Sequence, residues 1–151
     1  MLVRNPIGVR AIFNWTAEKP VKTVKRYIDA VNSRDRHAVA TLLHEQFRFV
    51  DSQGGWFEGR DCANRAFARF FDAEPNFRIT PNRIVAHEGD VLIMGEVTAD
   101  DERLRNNKLW RARAHDGRLE RWQSFGEGEV APLAQILAPE DAHGVLESYA
   151  E

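Results

Sequence analysis

The chain has 151 residues, 43% of them hydrophobic and 29% charged, with a formal net charge of −2 at pH 7. That length suits a single domain, and the apolar content excludes a chain too polar to bury a core. The balanced charge gives no electrostatic signal for nucleic acid or an anionic membrane. The single cysteine, Cys62, excludes an internal disulfide and a cysteine-rich zinc site.

Residues 1–19 are predicted to form an irregular arm, which lacks the apolar core of a secretion signal. No apolar run in the chain approaches the roughly 20 residues that span a bilayer. We therefore expect a cytoplasmic protein that binds neither a membrane nor nucleic acid.

Three helices are predicted in the first half of the chain. The first opens at Pro20, where the missing N–H of proline costs little, and apolar residues then recur every three or four positions through Val31. Asp35 is the expected N-cap of a second, short helix. A third helix follows Gly59, and its inward face is formed by Ala63, Ala66, Phe67, Phe70 and Phe71.

Strands are predicted where the period of the pattern changes to two. Alternation predicts a strand over Phe47–Asp51, which a Ser52–Gly55 turn follows. Four more strands are expected: Phe77–His87, Val91–Ala99, Lys108–His115 and Arg118–Phe125. Glu88–Asp90 and His115–Gly117 are predicted hairpin turns, and Asp100–Asn107 is a predicted polar loop. The tail is expected to form two helices, Pro132–Leu137 and Pro139–Tyr149.

Helices followed by consecutive strands are typical of the α+β class, with the helices on one face of a sheet. We expect a curved antiparallel sheet that bends around a helix. Such a sheet has a concave side, and the side chains that face inward there line a pocket.

Asp51 is the strongest candidate for chemistry. If the strand keeps its alternation, Asp51 shares a side with Phe47 and Phe49, and apolar surroundings raise the proton affinity of a carboxylate. Such a group acts as a general base or acid. The alternative is that Asp51 ends the strand and caps the following turn, in contact with solvent.

Tyr27 lies on the apolar face of the first helix. In a catalytic role its hydroxyl donates to a substrate oxygen on which negative charge develops. In a structural role it is a core aromatic whose hydroxyl reaches a backbone carbonyl.

Around these two residues we expect an apolar, aromatic-walled pocket for a small hydrophobic ligand. The same side chains fit two alternatives, a completely packed core or a dimer surface. The predicted substrate-binding residues are Phe49, Trp56, Phe57, Phe70, Met94, Trp110, Trp122 and Ser124.

No metal site and no cofactor site is predicted. The histidines are scattered and lack the i, i+4 spacing of a helical zinc site. The Gly54-Gly55 and Gly126–Gly128 stretches match neither a dinucleotide-binding nor a nucleoside-triphosphate-binding loop. A run of arginines is expected on a solvated outer face of the sheet, or alternatively at the rim of the pocket: Arg111, Arg113, Arg118 and Arg121.

Several short motifs occur in a recognisable order: Val24–Val31 with Asp35, then Phe47–Asp51, then Phe57–Arg60, and finally the hairpin Asp116–Leu119. Their order and spacing resemble the nuclear-transport-factor-2-like superfamily, especially its SnoaL-like and ketosteroid-isomerase branches. The resemblance runs from about Val21 to Phe125, and it implies a cone-shaped, curved antiparallel sheet wrapped around the long N-terminal helix. We place this cone at residues 20–128, between the arm and a C-terminal helical tail at 129–151. The resemblance also implies a homodimer formed through the open sheet face.

In the isomerase branch, an aspartate near the end of the first strand is the general base and a helix tyrosine stabilises the oxyanion. The resemblance assigns these roles to Asp51 and Tyr27. That branch has a further carboxylic acid where this chain has Leu109-Trp110-Arg111.

We expect cofactor-independent acid–base chemistry of the isomerase, cyclase or hydratase type on a small cyclic apolar ligand. The alternative is a non-catalytic ligand-binding or protein-interaction module of the same fold.

Overall fold

The computed structural model describes residues 19–144, so the predicted arm lies outside the described residues except for Lys19. Four α-helices are found in this part of the chain: α1 (19–32), α2 (Arg36–Leu42), α3 (Arg60–Ala73) and α4 (Leu133–Leu137). The strands are β1 (Leu43–Val50), β2 (Trp56–Glu58), β3 (Arg78–His87), β4 (Asp90–Thr98), β5 (Asn107–His115) and β6 (Arg118–Gly126). None of these helices is long and apolar enough to cross a membrane.

The helix boundaries have local causes that the sequence predicts. Asp35 is the N-cap of α2, and its Oδ1 accepts a hydrogen bond from the Ala38 N–H at 3.0 Å. Gly59 precedes α3 with φ of +105°, a conformation that a residue with a side chain rarely adopts.

The strands form one six-stranded sheet in the order β2-β1-β6-β5-β4-β3. Neighbouring strands run antiparallel except β1 and β6, which run parallel. Both predicted hairpins have two consecutive residues with positive φ, Glu88-Gly89 and Asp116-Gly117, as type I′ turns require.

The sheet bends between β3 and β4. The register shifts between Pro81 and Arg83, opposite Gly95 and Met94. A Cβ on Gly95 would lie 2.5 Å from the Thr80 carbonyl oxygen, so only glycine permits this approach of the two backbones. A bulge opposite a glycine produces the curvature that a cone needs.

Helix α1 packs on the concave side. Tyr27 lies with its ring 4.7 Å from the Trp122 ring of β6 and 6.0 Å from the Phe67 ring of α3. At the end of α1, the Asn32 side chain donates to the Ile79 carbonyl and accepts from the Ile79 N–H, both at 2.8 Å. The predicted α+β cone around the N-terminal helix is therefore confirmed.

Some predicted elements differ from the structure. Residues 139–144 form a turn and an isolated bridge rather than the start of a helix, because the backbone of His143 pairs with Trp56; residues 145–149 of that predicted helix lie outside the described residues. Strand β1 begins at Leu43, four residues earlier than predicted, and β2 was not predicted. The polar loop contains a 3₁₀-helix, Glu102–Asn106.

The predicted arginine run lies on the outer face of the sheet, where the Asp90 carboxylate holds two of its members. Arg111 Nε lies 2.5 Å from one oxygen and Arg113 Nη2 lies 2.9 Å from the other. Burial opposes ionisation of Asp90, but the hydrogen bonds and charges of these two guanidiniums outweigh it and hold the pKa of Asp90 below its usual value.

We expect Asp90→Asn to lower the free energy of unfolding by about 1–2 kcal/mol at pH 7, because two charge-assisted hydrogen bonds are lost. A carboxylate whose pKa is depressed on folding stabilises the fold above its unfolded value, about 3.9, and loses that contribution as the pH falls further. The difference between wild type and variant should therefore shrink below pH 4 in urea titrations. Glu96→Gln, which breaks the exposed pair with Lys108, is the control, with an expected loss below about 0.5 kcal/mol. Equal losses for the two variants at pH 7 would contradict this account.

Candidate functional site

A narrow cavity of about 40 Å³ lies inside the cone, between α1, α3, the concave face of the sheet and α4. Most of its lining is hydrocarbon, and the polar side chains among the lining residues are those of Tyr27, Asn107, Trp110, Trp122 and Ser124. The remaining lining residues are Val31, Phe49, Phe67, Phe70, Phe77, Ile79, Val97, Leu104, Leu133 and Leu137. A volume this small has room for only a few waters, at roughly 10–15 Å³ each.

The structure brings six of the predicted site residues to this cavity: Tyr27, Phe49, Phe70, Trp110, Trp122 and Ser124. The other predicted binding residues lie elsewhere. Phe57 is buried behind Phe49, with the two rings stacked at 5.0 Å. Trp56 stacks on His143 at 4.2 Å, and Met94 is exposed on the outer face of the sheet.

Several residues that line the cavity were not among the predicted site residues. The sequence predicts Asn107 as the last residue of a polar loop, but Asn107 begins β5 and is buried. Leu133 and Leu137 belong to a tail helix whose position on the cone has no signal in the local pattern. Phe67 has a detectable signal, since it was predicted on the inward face of the third helix, whereas Phe77 was predicted only as the first residue of a strand.

Tyr27 is 2% exposed, and its ring lines the cavity. Burial raises the pKa of its phenol far above the usual value, so the hydroxyl keeps its proton. Among residues 19–144 it has no hydrogen-bond partner, in contrast to the backbone carbonyl partner that a purely structural role implies. The hydroxyl is thus available to donate to a ligand oxygen.

A polar cluster of Ser52, Asn107 and Ser124 forms one end of the cavity. The Ser52 hydroxyl donates to Asn107 Oδ1, and it lies 3.2 Å from the Ser124 hydroxyl. Asn107 and Ser124 are both buried and line the cavity. The Asn107 amide nitrogen makes no hydrogen bond within the described part of the chain. Two N–H donors are thus available beside the apolar walls.

Asp51 is 2% exposed and is not one of the residues that line the cavity. Its Oδ1 accepts from the backbone N–H groups of Gln53 and Gly55, at 2.9 and 3.0 Å. Its Oδ2 accepts from the Ala134 N–H at 2.9 Å. Asp51 therefore caps the turn, as the structural alternative predicted, but it does so in the interior rather than in solvent.

The two effects on the ionisation of Asp51 oppose each other. Burial raises the pKa of its carboxyl, and the backbone hydrogen bonds, the strongest from Ala134, reduce that rise without cancelling it. A carboxylate with a raised pKa in an apolar region is what the acid–base hypothesis requires. Its oxygens, however, are both engaged by backbone donors in this conformation.

Residues 130–143, which we call the strap, cross the mouth of the cone. Asp51 binds the strap at Ala134, Gln53 Nε2 donates to the Val130 carbonyl at 2.9 Å, and Arg69 Nη1 donates to the Leu137 carbonyl at 2.7 Å. At its far end, His143 exchanges two backbone hydrogen bonds of 2.7 Å with Trp56. Because Leu133 and Leu137 line the cavity, the strap decides how much room the cavity has.

No group of three or more His, Cys, Asp or Glu residues in the range 19–144 is arranged to hold a metal ion. Cys62 is buried, and desolvation, followed by the charge of Asp141, raises the pKa of its thiol to about 11. It is therefore a protonated, poorly nucleophilic thiol at neutral pH.

We expect Asp51→Asn to loosen the strap, because an amide has one acceptor oxygen where the carboxylate has two, and its NH₂ group faces a backbone N–H. The predicted result is a loss of about 1–3 kcal/mol in unfolding free energy and faster hydrogen exchange at the Ala134 amide. Asp141→Asn, which changes an exposed strap carboxylate paired with Arg65, is the matched control. Unchanged protection at Ala134 in Asp51→Asn would show that the carboxylate does not hold the strap.

Comparison with known proteins identifies the family. The family model of the SnoaL-like domain matches residues 24–122. A search of curated proteins found no match.

Solved structures share the fold at low sequence identity. An LEH-like epoxide hydrolase from M. tuberculosis has a TM-score of 0.65 at 16% identity, covering 74% of this chain and 81% of that one. A proposed polyketide cyclase from Sinorhizobium meliloti has a TM-score of 0.61 at 17% identity, covering 68% and 93%. A cystatin-fold protein from Novosphingobium aromaticivorans has a TM-score of 0.58 at 17% identity, covering 69% and 95%. Because the family model matches residues 24–122 and the structure has the expected cone, this chain belongs to the SnoaL-like family of the nuclear-transport-factor-2-like fold.

Proposed function

We propose that this protein binds a small, mostly apolar cyclic ligand inside the cone, with a ligand oxygen or other acceptor at the Ser52, Asn107 and Ser124 end. The observation that carries this proposal is the lining itself: hydrocarbon walls with donors at Tyr27 and Asn107 that have no partner within residues 19–144. Both donors belong to residues that line the cavity, and a ligand acceptor placed there would hydrogen-bond to them. Pockets of this composition are typical of small-molecule sites.

Ligand access requires the strap to move. Small-molecule pockets commonly measure about 300–1,000 Å³, far above the 40 Å³ available with Leu133 and Leu137 in place. Displacing α4 removes both leucines from the wall and breaks the Asp51–Ala134 hydrogen bond. Opening also breaks the hydrogen bonds of the strap at Val130, Leu137 and His143. We propose a local opening that leaves the sheet and the other helices folded.

The experiment is a thermal-shift screen against cyclic ketones, lactones, phenols and steroids. A ligand that binds only the native state and is present at about 100 times its Kd should raise Tm by roughly 5–10 °C. Leu137→Phe should reduce that shift, because Leu137 lines the cavity of the closed strap, and a larger ring there fills the space that the ligand must take. Ile136→Phe, on the same helix but 47% exposed, is the matched control and should behave as wild type.

No shift from any compound class, with wild type folded, would contradict ligand binding and favour the interaction-module alternative. A shift that Leu137→Phe and Ile136→Phe reduce equally would mean that the ligand binds outside the cone.

Acid–base catalysis by Asp51 and Tyr27 is the second candidate function, favoured by the raised pKa of the buried Asp51 carboxyl. When the strap lifts, Oδ2 loses its Ala134 partner and becomes available for a proton. Asp51 adjoins Ser52, whose hydroxyl contacts the polar end of the cavity. Tyr27 would donate to an oxygen that gains negative charge. Isomerisation, cyclisation and hydration all use such a pair.

For any ligand that the screen identifies, we expect Tyr27→Phe to reduce turnover about 10²–10³-fold while the ligand still raises Tm. Asp51→Asn should abolish turnover, since an amide does not accept a proton at neutral pH. Product formation followed by NMR or mass spectrometry is the measurement. Binding without turnover in the wild type, or turnover unaffected by both substitutions, would leave the protein as a ligand-binding module.

We also propose a homodimer, formed through an apolar strip on the outer face of the sheet. Met94, Leu109 and Phe125 are all partly exposed, and the register aligns them across β4, β5 and β6. Exposed large apolar side chains in one contiguous group favour a protein contact.

A further inference from the structure

The outer face of the sheet carries a row of charged residues that runs across the strands. Arg113 of β5 is paired with Arg121 of β6, Arg121 with Arg48 of β1, and Arg48 with Glu58 of β2. Asp90 of β4 contacts Arg113 and closes the other end. Three arginines thus lie side by side between two carboxylates, and we call them the arginine row.

The two ends of the row are neutralised, but its centre is not. Arg48 lies 3.0 Å from Glu58 and Arg113 lies 2.9 Å from Asp90. Asp90 is shared with Arg111, on the same face of β5. Four guanidiniums therefore face two carboxylates.

Arg121, at the centre, donates to the neutral amide oxygen of Gln123 at 3.0 Å. Within residues 19–144 it has no carboxylate partner. The local excess of two positive charges contrasts with the formal net charge of −2 for the chain.

This arrangement opposes stability. Like charges directly opposite one another on neighbouring strands are destabilising, and strands lie about 4.7–4.9 Å apart, so the Cα atoms of the three arginines span roughly 10 Å. Partial burial, and then the charges of Arg48, Arg111 and Arg113, lower the pKa of Arg121. An external anion would relieve this repulsion.

We propose that the arginine row binds a phosphate-type dianion, either inorganic phosphate or a phosphate monoester, centred on Arg121. Guanidinium groups bind phosphate oxygens through paired N–H donors, and the charge of a dianion equals the excess of two positive charges that the row and Arg111 have over Glu58 and Asp90. The flanking Arg48 and Arg113 contribute charge, while Glu58 and Asp90 hold their side chains in place.

This anion site is on the opposite face of the sheet from the cone cavity, and it adjoins the apolar strip, since Arg111 is two residues from Leu109 on β5. Trp110 and Trp122 alternate with Arg111 and Arg121 along their strands, so the tryptophans face the cavity and the arginines face outward. Arg113 lies four residues from Leu109 along β5, which is about 13 Å at the usual strand rise. Anion binding at the arginine row therefore does not depend on ligand binding in the cone.

The test is isothermal titration calorimetry with inorganic phosphate and, in a second arm, glycerol 2-phosphate, at low ionic strength in a phosphate-free buffer. We expect Arg121→Gln to lose at least about tenfold in affinity for whichever anion binds. The matched control is Arg83→Gln, which removes one exposed positive charge from β3 and should change affinity less than about twofold. Comparison of the two arms tells whether the site prefers the free anion or the ester.

Thermal unfolding supplies a readout that does not depend on calorimetry. Without phosphate, Arg121→Gln should melt at or above the wild-type temperature, because the central like charge is gone. Phosphate should then raise the Tm of wild type and Arg83→Gln more than that of Arg121→Gln; general salt exclusion would raise all three equally.

Two results would overturn the proposal. One is equal phosphate affinity, including no detectable binding, in wild type and Arg121→Gln. The other comes from sedimentation velocity: the wild type is a dimer, Arg121→Gln is a monomer, and phosphate changes neither. That result would assign the row to a subunit interface.

Discussion

The concave face of a strongly curved sheet must be covered by apolar side chains, and this requirement organises the rest of the molecule. Helix α1 meets it from one side, through contacts such as the 4.7 Å packing of Tyr27 on Trp122. Helix α3 adds a series of aromatic rings, among which Phe70 packs on Phe77 at 4.8 Å. Leu133 and Leu137 of the strap cover the part of the concave face that α1 and α3 leave uncovered. The narrow cavity is the space that these three layers leave unfilled.

Polar groups inside this apolar region are arranged at the points where covering elements meet the sheet. Asp51 follows β1 and joins its turn to the strap through three backbone N–H donors. Ser52, the next residue, contacts Asn107 and Ser124 at the start of β5 and in β6. The end of β1 therefore serves both to hold the strap and to provide the polar end of the cavity. This links the two candidate functions, because a movement that admits a ligand also changes what Asp51 contacts.

The two faces of the sheet have different chemistry because side chains alternate along every strand. The same strands that send Trp110 and Trp122 inward send Arg111 and Arg121 outward. Removing the parallel contact between β1 and β6 would separate Arg48 from Arg121 and Phe49 from Trp122 at once, since both pairs depend on one register. The cavity wall and the outer charges are thus determined by the same strand pairing.

The sequence by itself determined the elements whose causes are local. Apolar residues every three or four positions specify α1 and α3, the Asp35 cap specifies the start of α2, and the Asp116-Gly117 pair specifies a hairpin through its positive φ angles. Six of the eventual cavity residues followed from strand and helix alternation, because the direction of a side chain depends on backbone periodicity alone. The outer position of the arginines followed from the same alternation.

Only the tertiary structure decided what depends on residues far apart in the chain. The pairing of β1 with β6, the docking of the strap on Asp51, and the turn at 139–144 that His143 forms against Trp56 all join distant segments. The local sequence pattern predicts which way a side chain faces, but not which distant residues contact it. For that reason alternation correctly predicted that Asp51 faces inward, but only the tertiary structure shows the three backbone N–H groups that bind it.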